Sequence, residues 1–228
     1  MSILAIGDIH GYLRPLQALL AQVPFRQDDL LVFTGDYVDK GPDVKGVIDC
    51  LLGWSKIHRA IFLRGNHDQM LLDAHREPAK ISLWECLAGE NPLASYGQGS
   101  TSMLMSKVPS KHWTFLATEC RDYFETPDLI FVHGGIRPDV EPANEELARL
   151  QWTTLAEATA HSSGRTVICG HSPQRSGKIT DLGHTICIDT NIADGGWLSC
   201  LALDTFEFWR ANVDGQLRSG VLPSRVRE

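Results

Sequence analysis

The sequence predicts an α/β protein in which two mixed β-sheets face each other and helices flank them on the outside. The first observation behind this prediction is a unit repeated near the N-terminus, where an apolar run ends in a glycine-containing turn and leads into a helical pattern. Three such units in succession are typical of βαβ connections and a parallel sheet. The second observation is that further short apolar runs return after residue 128 and supply the strands of a second sheet.

Each N-terminal unit combines one buried strand with one amphipathic helix. The predicted strands are residues 3–6, 29–34 and 60–63. Leucines at helical spacing, with Pro15 suited to the first turn, predict a helix over residues 13–20. Pro42 can open the second helix, whose apolar face runs from Val44 to Leu52, and a third helix follows the third turn.

The C-terminal half is predicted to hold the remaining strands of a single domain that covers residues 1–228. These strands are residues 129–132, 166–169, 185–189, 197–204 and 206–211. The last three are expected to be adjacent strands. Residues 77–125 interrupt the strand pattern and are expected to form a helical or loop insert, because a segment of this length is more often a lid or a small subdomain than a structureless loop.

Composition and charge narrow the class of protein. The 228 residues are 43% apolar and 21% charged, as expected for a globular chain with a sizeable core. The net charge of −7 and the lack of a Lys/Arg cluster argue against a nucleic-acid partner. No apolar stretch reaches the roughly 18 residues of a membrane span, and no signal-peptide pattern is visible. The six cysteines form no C-x-x-C pair, so we expect reduced thiols in a cytoplasmic protein.

Polar side chains collect at the ends of the predicted strands, where an open α/β sheet binds its ligands. They are Asp8, His10, Asp36, Asp39, Asn66, His67, His133 and His171. Carboxylate, imidazole and amide oxygen suit divalent manganese, iron or zinc, and the lack of thiolates argues against a structural zinc site. These groups are too many for one ion, so we expect two, with Asp36 as the carboxylate that bridges them.

Five motifs at these positions resemble the signature of the phosphoprotein phosphatase family within the calcineurin-like metallophosphoesterases. In chain order they are residues 7–11 (GDIHG), 35–41 (GDYVDKG), 64–68 (RGNHD), 133–135 (HGG) and 170–172 (GHS). The resemblance covers roughly residues 1–205, and the small bacterial serine/threonine protein phosphatases are nearest in size. It implies a four-layer α/β/β/α sandwich with a dinuclear metal site.

The resemblance also implies a role for each residue at the strand ends. The implied ligands are Asp8, His10 and Asp36 for the first metal, and Asp36, Asn66, His133 and His171 for the second. His67 is implied to be the general acid that protonates the leaving oxygen, with Asp39 orienting it and raising its pKa. The implied nucleophile is a hydroxide that bridges two divalent ions, with manganese as the first expectation and iron or zinc as alternatives.

Two features depart from the family pattern. Lys40 stands where the family most often has Arg, and it can bind a phosphate as a point charge but not through a bidentate fork. The second phosphate-binding Arg that the family often has is missing at residues 151–154, and Arg137 or Arg149 is a candidate replacement. We therefore predict substrate contacts from Lys40, Asn66 and Arg137.

These features predict a dinuclear-metal phosphomonoesterase, and more specifically a serine/threonine protein phosphatase. A paired Asp39 and His67 suit the alkoxide leaving group of such a reaction. The expected partner is a phosphorylated protein or a small phosphoester. The first alternative is a hydrolase of dinucleoside polyphosphates such as diadenosine tetraphosphate, because those enzymes share the motifs. The second is a catalytically silent protein that binds metal and phosphate, for which the missing Arg is the only support.

Several residues outside this set are expected to be structural. Asp68 is expected to be an acid at a helix start rather than a ligand. Trp84, Tyr96 and Trp113 are expected in the core of the insert, and the glycine-rich residues 97–100 in a flexible turn. The histidines expected to be structural or exposed are His58, His75, His112, His161 and His184.

Overall fold

A seven-stranded sheet forms the centre of the molecule, for which the computed structural model describes residues 2–223. The sheet begins with β1 (Ile3–Ile6), β2 (Leu30–Phe33) and β3 (Arg59–Phe62). β1 and β2 are parallel, with Ile3 opposite Leu30, and β2 and β3 are parallel, with Leu30 opposite Arg59. The parallel βαβ arrangement predicted from the three N-terminal units is therefore confirmed.

Four C-terminal strands complete this sheet on the other side of β1. They are β9 (Asp189–Thr190), β10 (Trp197–Ala202), β11 (Glu207–Ala211) and β12 (Leu217–Val221). β10 pairs antiparallel with β1 and with β11, which makes the sheet mixed. The strand order is β12-β11-β10-β1-β2-β3, with β9 beside β10, so the turn after β1 has neighbours on both sides.

A five-stranded mixed sheet faces the first. Its strands are β4 (Tyr123–Glu125), β5 (Leu129–Val132), β6 (Thr166–Cys169), β7 (Thr180–Asp181) and β8 (Thr185–Cys187). The order is β4-β5-β6-β8-β7, with a parallel centre and antiparallel edges. The apolar layer between the two sheets includes Ala5, Val32, Leu201, Phe131, Ile168 and Ile186. The predicted pair of facing sheets is thus confirmed.

Helices cover the outer side of each sheet. The first sheet carries α1 (Leu13–Gln22), α2 (Val44–Trp54) and α3 (Asn66–Arg76). Successive side chains of a strand point to opposite faces, so Ile6 and Phe33 pack against these helices while their strand neighbours face the second sheet. The second sheet packs against α7 (Leu147–Trp152) through Leu150.

The insert, residues 77–125, lies over α2 and α3. Its helices are α4 (Ile81–Ala88), α5 (Thr101–Lys107) and α6 (Ser110–Thr114), followed by a π-helical turn (Phe115–Glu119). Short 3-10 helices lie in the insert at Pro78–Lys80 and Ala94–Tyr96. Outside the insert, others lie at Pro142–Asn144, Leu155–Glu157 and Ile192–Asp194. Trp84 and Phe115 are buried in the same apolar cluster as α2 and α3, so the insert shares its core with the first sheet.

A polar anchor also ties the insert to α2. The carboxylate of Asp49 accepts hydrogen bonds from Lys111 and from His112 Nε2 (3.1 Å) of the insert, and from Lys45 within α2 (2.8 Å). His112 Nδ1 lies 2.9 Å from the Tyr96 hydroxyl. Burial lowers the pKa of His112, so the neutral ring donates to Asp49 and accepts from Tyr96. This network gives His112 a structural role.

The C-terminal strands differ from the sequence-based expectation in one respect. The sequence predicts a single strand over residues 185–189 beside residues 197–204, but β8 and β9 belong to different sheets. The chain crosses from the second sheet to the first at Ile188, which is fully buried between them. A strand buried on both faces is apolar throughout, so its sequence does not indicate which sheet it joins.

All six cysteines are free thiols in the structure. Among residues 2–223, no helix is both long and apolar enough to cross a membrane.

Candidate metal centre

The turns that follow β1, β2, β3, β5 and β6 meet at one edge of the two sheets. We call these five turns the metal cradle; they are residues 7–11, 35–41, 64–68, 133–135 and 170–172. Backbone hydrogen bonds join them across the edge, including Ile9 N to Asp36 O (3.0 Å) and Gly170 N to His133 O (2.8 Å). The five motifs of the sequence therefore form one continuous site.

The backbone of the metal cradle is left-handed at five non-glycine residues. Their φ angles are 48° for His10, 53° for Asp36, 71° for Asp39, 64° for Lys40 and 63° for His171. L-residues avoid this region at a cost of about 1 kcal/mol or more each, and such residues cluster at functional sites. The sharp reversals turn these side chains out of the strand direction and towards a common centre.

Two glycines of the motifs are required by close approach. A Cβ atom on Gly65 would collide with Oδ1 of Asp36, and one on Gly170 would collide with Oδ1 of Asp8. Any larger residue at either position would displace a carboxylate from the centre. These glycines hold the carboxylates in place by leaving room for them.

Asp36 lies between the imidazoles of the metal cradle. Its carboxylate Oδ1 accepts a hydrogen bond from the backbone N–H of His67 (3.0 Å) and lies 3.4 Å from His133 Nε2. Its Oδ2 lies 3.6 Å from His10 Nε2. Asp36 is 2% exposed, so this charge depends on its protein neighbours rather than on water.

The ring orientation of two histidines is fixed by backbone carbonyls. His133 Nδ1 lies 2.7 Å from Thr34 O, and His10 Nδ1 lies 3.0 Å from Val38 O. Each Nδ1 must carry a proton to make this bond, which leaves Nε2 directed towards the centre. Such a bond at the far nitrogen is the usual support for an imidazole that ligates a metal.

Asn66 joins the two sheets at the centre. Its Oδ1 lies 2.8 Å from His133 Nε2 and 3.0 Å from His171 Nδ1. The side chain comes from α3 beside the first sheet, whereas both histidines follow strands of the second sheet. Three atoms that could ligate a metal, one from each of these residues, therefore converge on one point between the sheets.

The electrostatics of the metal cradle favour a cation. Burial would raise the pKa of Asp36, but the charges of His133 and His67 hold it well below its usual value. Burial raises the pKa of Asp8 well above its usual value, and the charge of Asp189 adds to the rise. Burial would lower the pKa of His133, but the charge and hydrogen bond of Asp36, the charge of Asp8 and the hydrogen bond to Thr34 together outweigh burial and raise that pKa to about 10. A bound metal would take the place of the positive charge that His133 carries here.

Two further histidines are held neutral. Burial lowers the pKa of His10 to about 4, and burial together with the charge of His133 lowers the pKa of His171 to about 4. A neutral imidazole is the form that binds a metal. Each neutral ring therefore has one unprotonated nitrogen at neutral pH.

The donor groups fit two divalent ions. The ligand atoms of His10, Asp36 and His67 lie within 4.8 Å of one another, and so do those of Asp8, Asp36 and His133. Asp36 belongs to both groups, as a bridging carboxylate requires. These groups differ from the ligand sets predicted from the sequence, because His67 joins His10 and Asp36, and Asp8 lies with His133. The division of ligands between the two ions therefore stays a prediction.

His67 is paired with Asp39 in the way expected of a proton donor. His67 Nδ1 lies 2.8 Å from Asp39 Oδ2. Burial would lower the pKa of His67, but the charges of Asp36 and Asp39 outweigh it, and that pKa is raised. Because Asp39 occupies Nδ1, Nε2 is the nitrogen left to meet a substrate.

A cavity of about 100 Å³ opens in front of the metal cradle. The exposed Lys40 side chain is its basic group among the described residues, apart from histidines. Lining residues outside the five motifs are Pro173, Asp189, Asn191, Ala193 and Asp194. Pro173 directly follows the 170–172 motif, and the other four residues belong to β9 or to the residues just after it.

Asp189 is the most consequential of these additions. It is 5% exposed, and its Oδ1 accepts a hydrogen bond from Asn191 N (3.0 Å). Burial raises its pKa to about 6, with the charge of Asp36 adding to the rise, while a hydrogen bond with Asp8 opposes it. Asp189 therefore adds a third buried carboxylate beside those of Asp8 and Asp36.

Arg137 lies elsewhere than expected. Its guanidinium makes an ion pair with Glu145, with Nη2 2.7 Å from Oε1 and Nε 2.9 Å from the same oxygen. Neither Arg137 nor the exposed Arg149 is among the described residues that line the cavity. Because the Arg137 guanidinium is paired with Glu145, eight residues along the chain, the geometry does not support Arg137 as a substrate contact.

Asp68 does more than begin a helix. Its carboxylate accepts backbone hydrogen bonds from Gly65 (2.9 Å), Asp36 (2.8 Å) and Tyr37 (2.9 Å). It therefore holds the left-handed turn at Asp36 against the start of α3. The sequence indicates the helix-start contact, but the bonds to a turn 31 and 32 residues away are visible only in the structure.

The histidines outside the motifs have partners away from the cavity. His58 stacks on Trp54 and His75 on Trp113, with ring centroids 3.9 and 3.8 Å apart. His161 bonds to Ser163 and Val140. His184 lies 2.9 Å from the Thr185 hydroxyl. None of them lines the cavity among the residues that the structure describes.

Comparison with known families identifies the class of protein. A family model described as calcineurin-like phosphoesterase matches residues 1–194. The chain therefore belongs to the calcineurin-like phosphoesterase family, whose members hydrolyse phosphoric esters at a dinuclear metal centre.

Individual relatives differ in activity. The chain is 23% identical to the asymmetrical bis(5'-nucleosyl)-tetraphosphatase PrpE of Anoxybacillus flavithermus, over 89% of this chain and 90% of the relative. It is 40% identical to serine/threonine-protein phosphatase 1 of Salmonella typhimurium, over 37% of this chain and 38% of the relative. A solved structure of a candidate diadenosine tetraphosphatase superposes with a TM-score of 0.66 at 22% identity, over 96% of this chain and 92% of that chain.

Proposed function

We propose that this phosphoesterase hydrolyses dinucleoside polyphosphates such as diadenosine tetraphosphate. The observation that carries the proposal is a groove of about 660 Å³ that continues from the metal cradle. His171 and Pro173 line both the groove and the small polar cavity, so the two spaces are contiguous. A compact polar cavity beside an open, partly apolar groove suits part of such a substrate, with the phosphate chain in the cavity and one of the two nucleosides in the groove.

An exposed aromatic ring beside His171, a residue that lines both spaces, supports this assignment. Trp152 is 44% exposed, and its ring edge faces His171 with centroids 5.9 Å apart. The indole could therefore stack on a nucleobase whose phosphates reach the metal cradle. The full-length similarity to a bis(5'-nucleosyl)-tetraphosphatase points the same way, whereas the likeness to the protein phosphatase spans only part of each chain.

The protein groups divide the chemistry among them. Asp8, His10, Asp36, Asn66, His133 and His171 are the residues proposed to hold two divalent ions. When bound, such ions neutralise phosphoryl charge and lower the pKa of a water nucleophile. His67 Nε2 donates a proton to the leaving oxygen, and Asp39 holds the ring in the orientation for that transfer. Lys40 provides a point charge for a phosphoryl oxygen.

Serine/threonine protein phosphatase activity is the second candidate. One observation favours it, which is the 2.8 Å bond between His67 and Asp39. An alkoxide is a poor leaving group and requires a proton donor, whereas a nucleotide phosphate leaves with much less assistance. The sequence ranks this activity first; we place it second because the groove and the full-length relative support a dinucleoside polyphosphate substrate.

A substrate panel tests the choice between the two. The manganese-loaded protein would be assayed with diadenosine tetraphosphate, a phosphoserine/phosphothreonine peptide, a phosphotyrosine peptide and para-nitrophenyl phosphate, with His67→Asn as a control. We expect the highest kcat/KM for the dinucleotide. A higher value for the phosphoserine/phosphothreonine peptide would transfer the assignment to protein phosphatase. No turnover of any substrate, with two metals bound, would favour a silent binding protein.

A variant beside His171 sharpens this test. Trp152→Ala is expected to raise the KM for diadenosine tetraphosphate by about tenfold, since stacking of a base on an aromatic ring contributes roughly 1–3 kcal/mol. Para-nitrophenyl phosphate does not reach the groove, so its constants should change far less. An equal effect on both substrates would mean that Trp152 supports the metal cradle instead of binding a base.

A further inference from the structure

The insert contacts the proton-donating pair through one buried side chain. Trp84 of α4 donates its indole N–H to both carboxylate oxygens of Asp39, at 3.1 Å to Oδ1 and 3.0 Å to Oδ2. Trp84 is 1% exposed and Asp39 is fully buried. Asp39 therefore receives bonds from two sides, from Trp84 and from His67 Nδ1.

The chemistry of the indole makes this contact directional. An indole N–H is a donor and never an acceptor, so Asp39 must accept from Trp84. Because this carboxylate is buried, water does not solvate its charge. Each hydrogen bond from the protein therefore stabilises its ionised form. Removing the indole N–H would leave Oδ1 without this donor and would free the carboxylate to rotate away from His67.

The same helix also supports the residue that follows Asp39. The backbone N–H of Lys40 donates to the carbonyl of Ala88 at the end of α4 (2.7 Å). Gly89, the next residue, lies against Lys40, since a Cβ on Gly89 would sit 3.3 Å from the Lys40 Cα. Asp39 and Lys40 are both left-handed, at 71° and 64°, so α4 supports a strained pair of residues at the edge of the cavity.

We propose that α4 positions the proton donor, and that Trp84 is a positioning residue that holds Asp39 in the orientation by which Asp39 aligns His67. This assigns to the insert a part in the proton transfer rather than only a share of the core. The inference rests on the proposed role of His67 as general acid, and it requires no contact between Trp84 and the substrate.

A leaving-group comparison tests the inference. Trp84→Phe keeps an aromatic ring in the core and removes the N–H. It is expected to lower kcat for phenyl phosphate by about tenfold, the size expected for one lost hydrogen bond to a carboxylate. For 2,4-dinitrophenyl phosphate, whose leaving group departs without a proton, the loss should be less than about twofold. Trp113→Phe, elsewhere in the insert, is the matched control and should change neither rate.

The outcomes separate this inference from the role of His67. In one outcome, His67→Asn lowers kcat for phenyl phosphate far more than for the dinitrophenyl ester while Trp84→Phe changes kcat for both esters by the same factor. That result refutes the role of Trp84 and leaves the role of His67 standing. If His67→Asn slows both esters equally, the general-acid role itself fails. A selective loss in both variants supports the full chain of contacts from Trp84 to His67.

A spectroscopic measurement keeps the test valid if turnover is low. In the zinc-loaded protein, the proton between His67 Nδ1 and Asp39 should give a low-field NMR resonance that disappears in Asp39→Asn. Trp84→Phe is expected to shift or broaden this resonance through faster exchange, and Trp113→Phe to leave it unchanged. An unaltered resonance in a folded Trp84→Phe protein would overturn the proposal.

Discussion

The metal cradle and the insert use polar groups in different ways. In the metal cradle, carboxylates and imidazoles are buried at the ends of strands, and glycines and left-handed turns bring them together. In the insert, polar contacts join helices to one another, as at Asp49, or link the insert to the cradle, as at Trp84. The metal cradle brings charged groups together, and the insert supports one of them, Asp39, through Trp84.

This difference shows where rigidity comes from in the site. The cradle residues sit on two facing sheets whose strands are fixed by backbone pairing. Within the cradle, the turn at Asp39 and Lys40 has an additional support, because α4 bonds to both of these residues. Changes in the cradle should therefore abolish the chemistry, whereas changes in the insert should adjust it or affect stability alone.

The largest effect is expected from Asp36→Asn. Loss of the bridging charge should lower kcat on the order of a thousandfold, because a catalytic metal contributes several kcal/mol to the transition state. Measurements of kcat and of bound metal per chain would check this. Asp128→Asn, at an exposed Asp outside the cradle, is the matched control. Near-normal activity with two metals bound would show that Asp36 is not the bridge.

Metal binding should stabilise the fold through the cradle. Adding Mn²⁺ to the metal-free protein at about 100 times its Kd is expected to contribute about 2.7 kcal/mol. For a chain of this length that corresponds to a rise in Tm of roughly 5–10 °C. Asp36→Asn should lose most of the rise. If both proteins gained the same Tm, the ions would be binding outside the cradle.

A smaller effect is expected from Lys40→Ala, at the border between the two regions. Removing one exposed point charge from the cavity should lower kcat/KM about tenfold for a phosphoester substrate. Lys40→Arg should retain most of the activity, and Lys56→Ala, at another exposed lysine, should have no effect. Unchanged KM and kcat in Lys40→Ala would remove this residue from the substrate site.

The smallest effect is expected from Asp49→Asn in the anchor of the insert. Burial alone would raise the pKa of Asp49, but hydrogen bonds from Lys111, Lys45 and His112 hold it well below its usual value. The variant should lower the free energy of unfolding by about 1 kcal/mol at neutral pH, a value limited by solvent screening of a partly exposed group. Its activity should stay unchanged.

The pH dependence of this effect has a defined sign. A folded-state pKa below the unfolded value gives stability that is present above the unfolded pKa of about 3.9 and is lost as the pH falls below it. Urea unfolding of both proteins at neutral pH and below about pH 4 would measure this. A difference that grew on acidification would contradict the assignment of the charge to Asp49.

The sequence by itself determined the three parallel strands of the first sheet and the residues of the metal cradle. Strand ends are readable because a buried apolar run followed by Gly-Asp or Gly-Asn is a local pattern. Parallel strands place such ends at one edge, so the order of the residues is enough to bring Asp8, Asp36 and Asn66 together. Contacts between the ends of neighbouring parallel strands follow from the sheet topology, which the order of strands and helices along the chain indicates.

Only the tertiary structure decided the surroundings of that cradle. Asp189 and Trp84 enter the site through the crossing at Ile188 and the packing of α4. Asp189 ends a predicted strand, but the sequence does not indicate that this strand end meets the metal cradle. The sequence predicts Arg137 at the substrate, whereas the structure pairs it with Glu145 because that carboxylate lies within reach. Side-chain partners far apart in sequence depend on how whole layers pack, and local chemistry alone does not specify that packing.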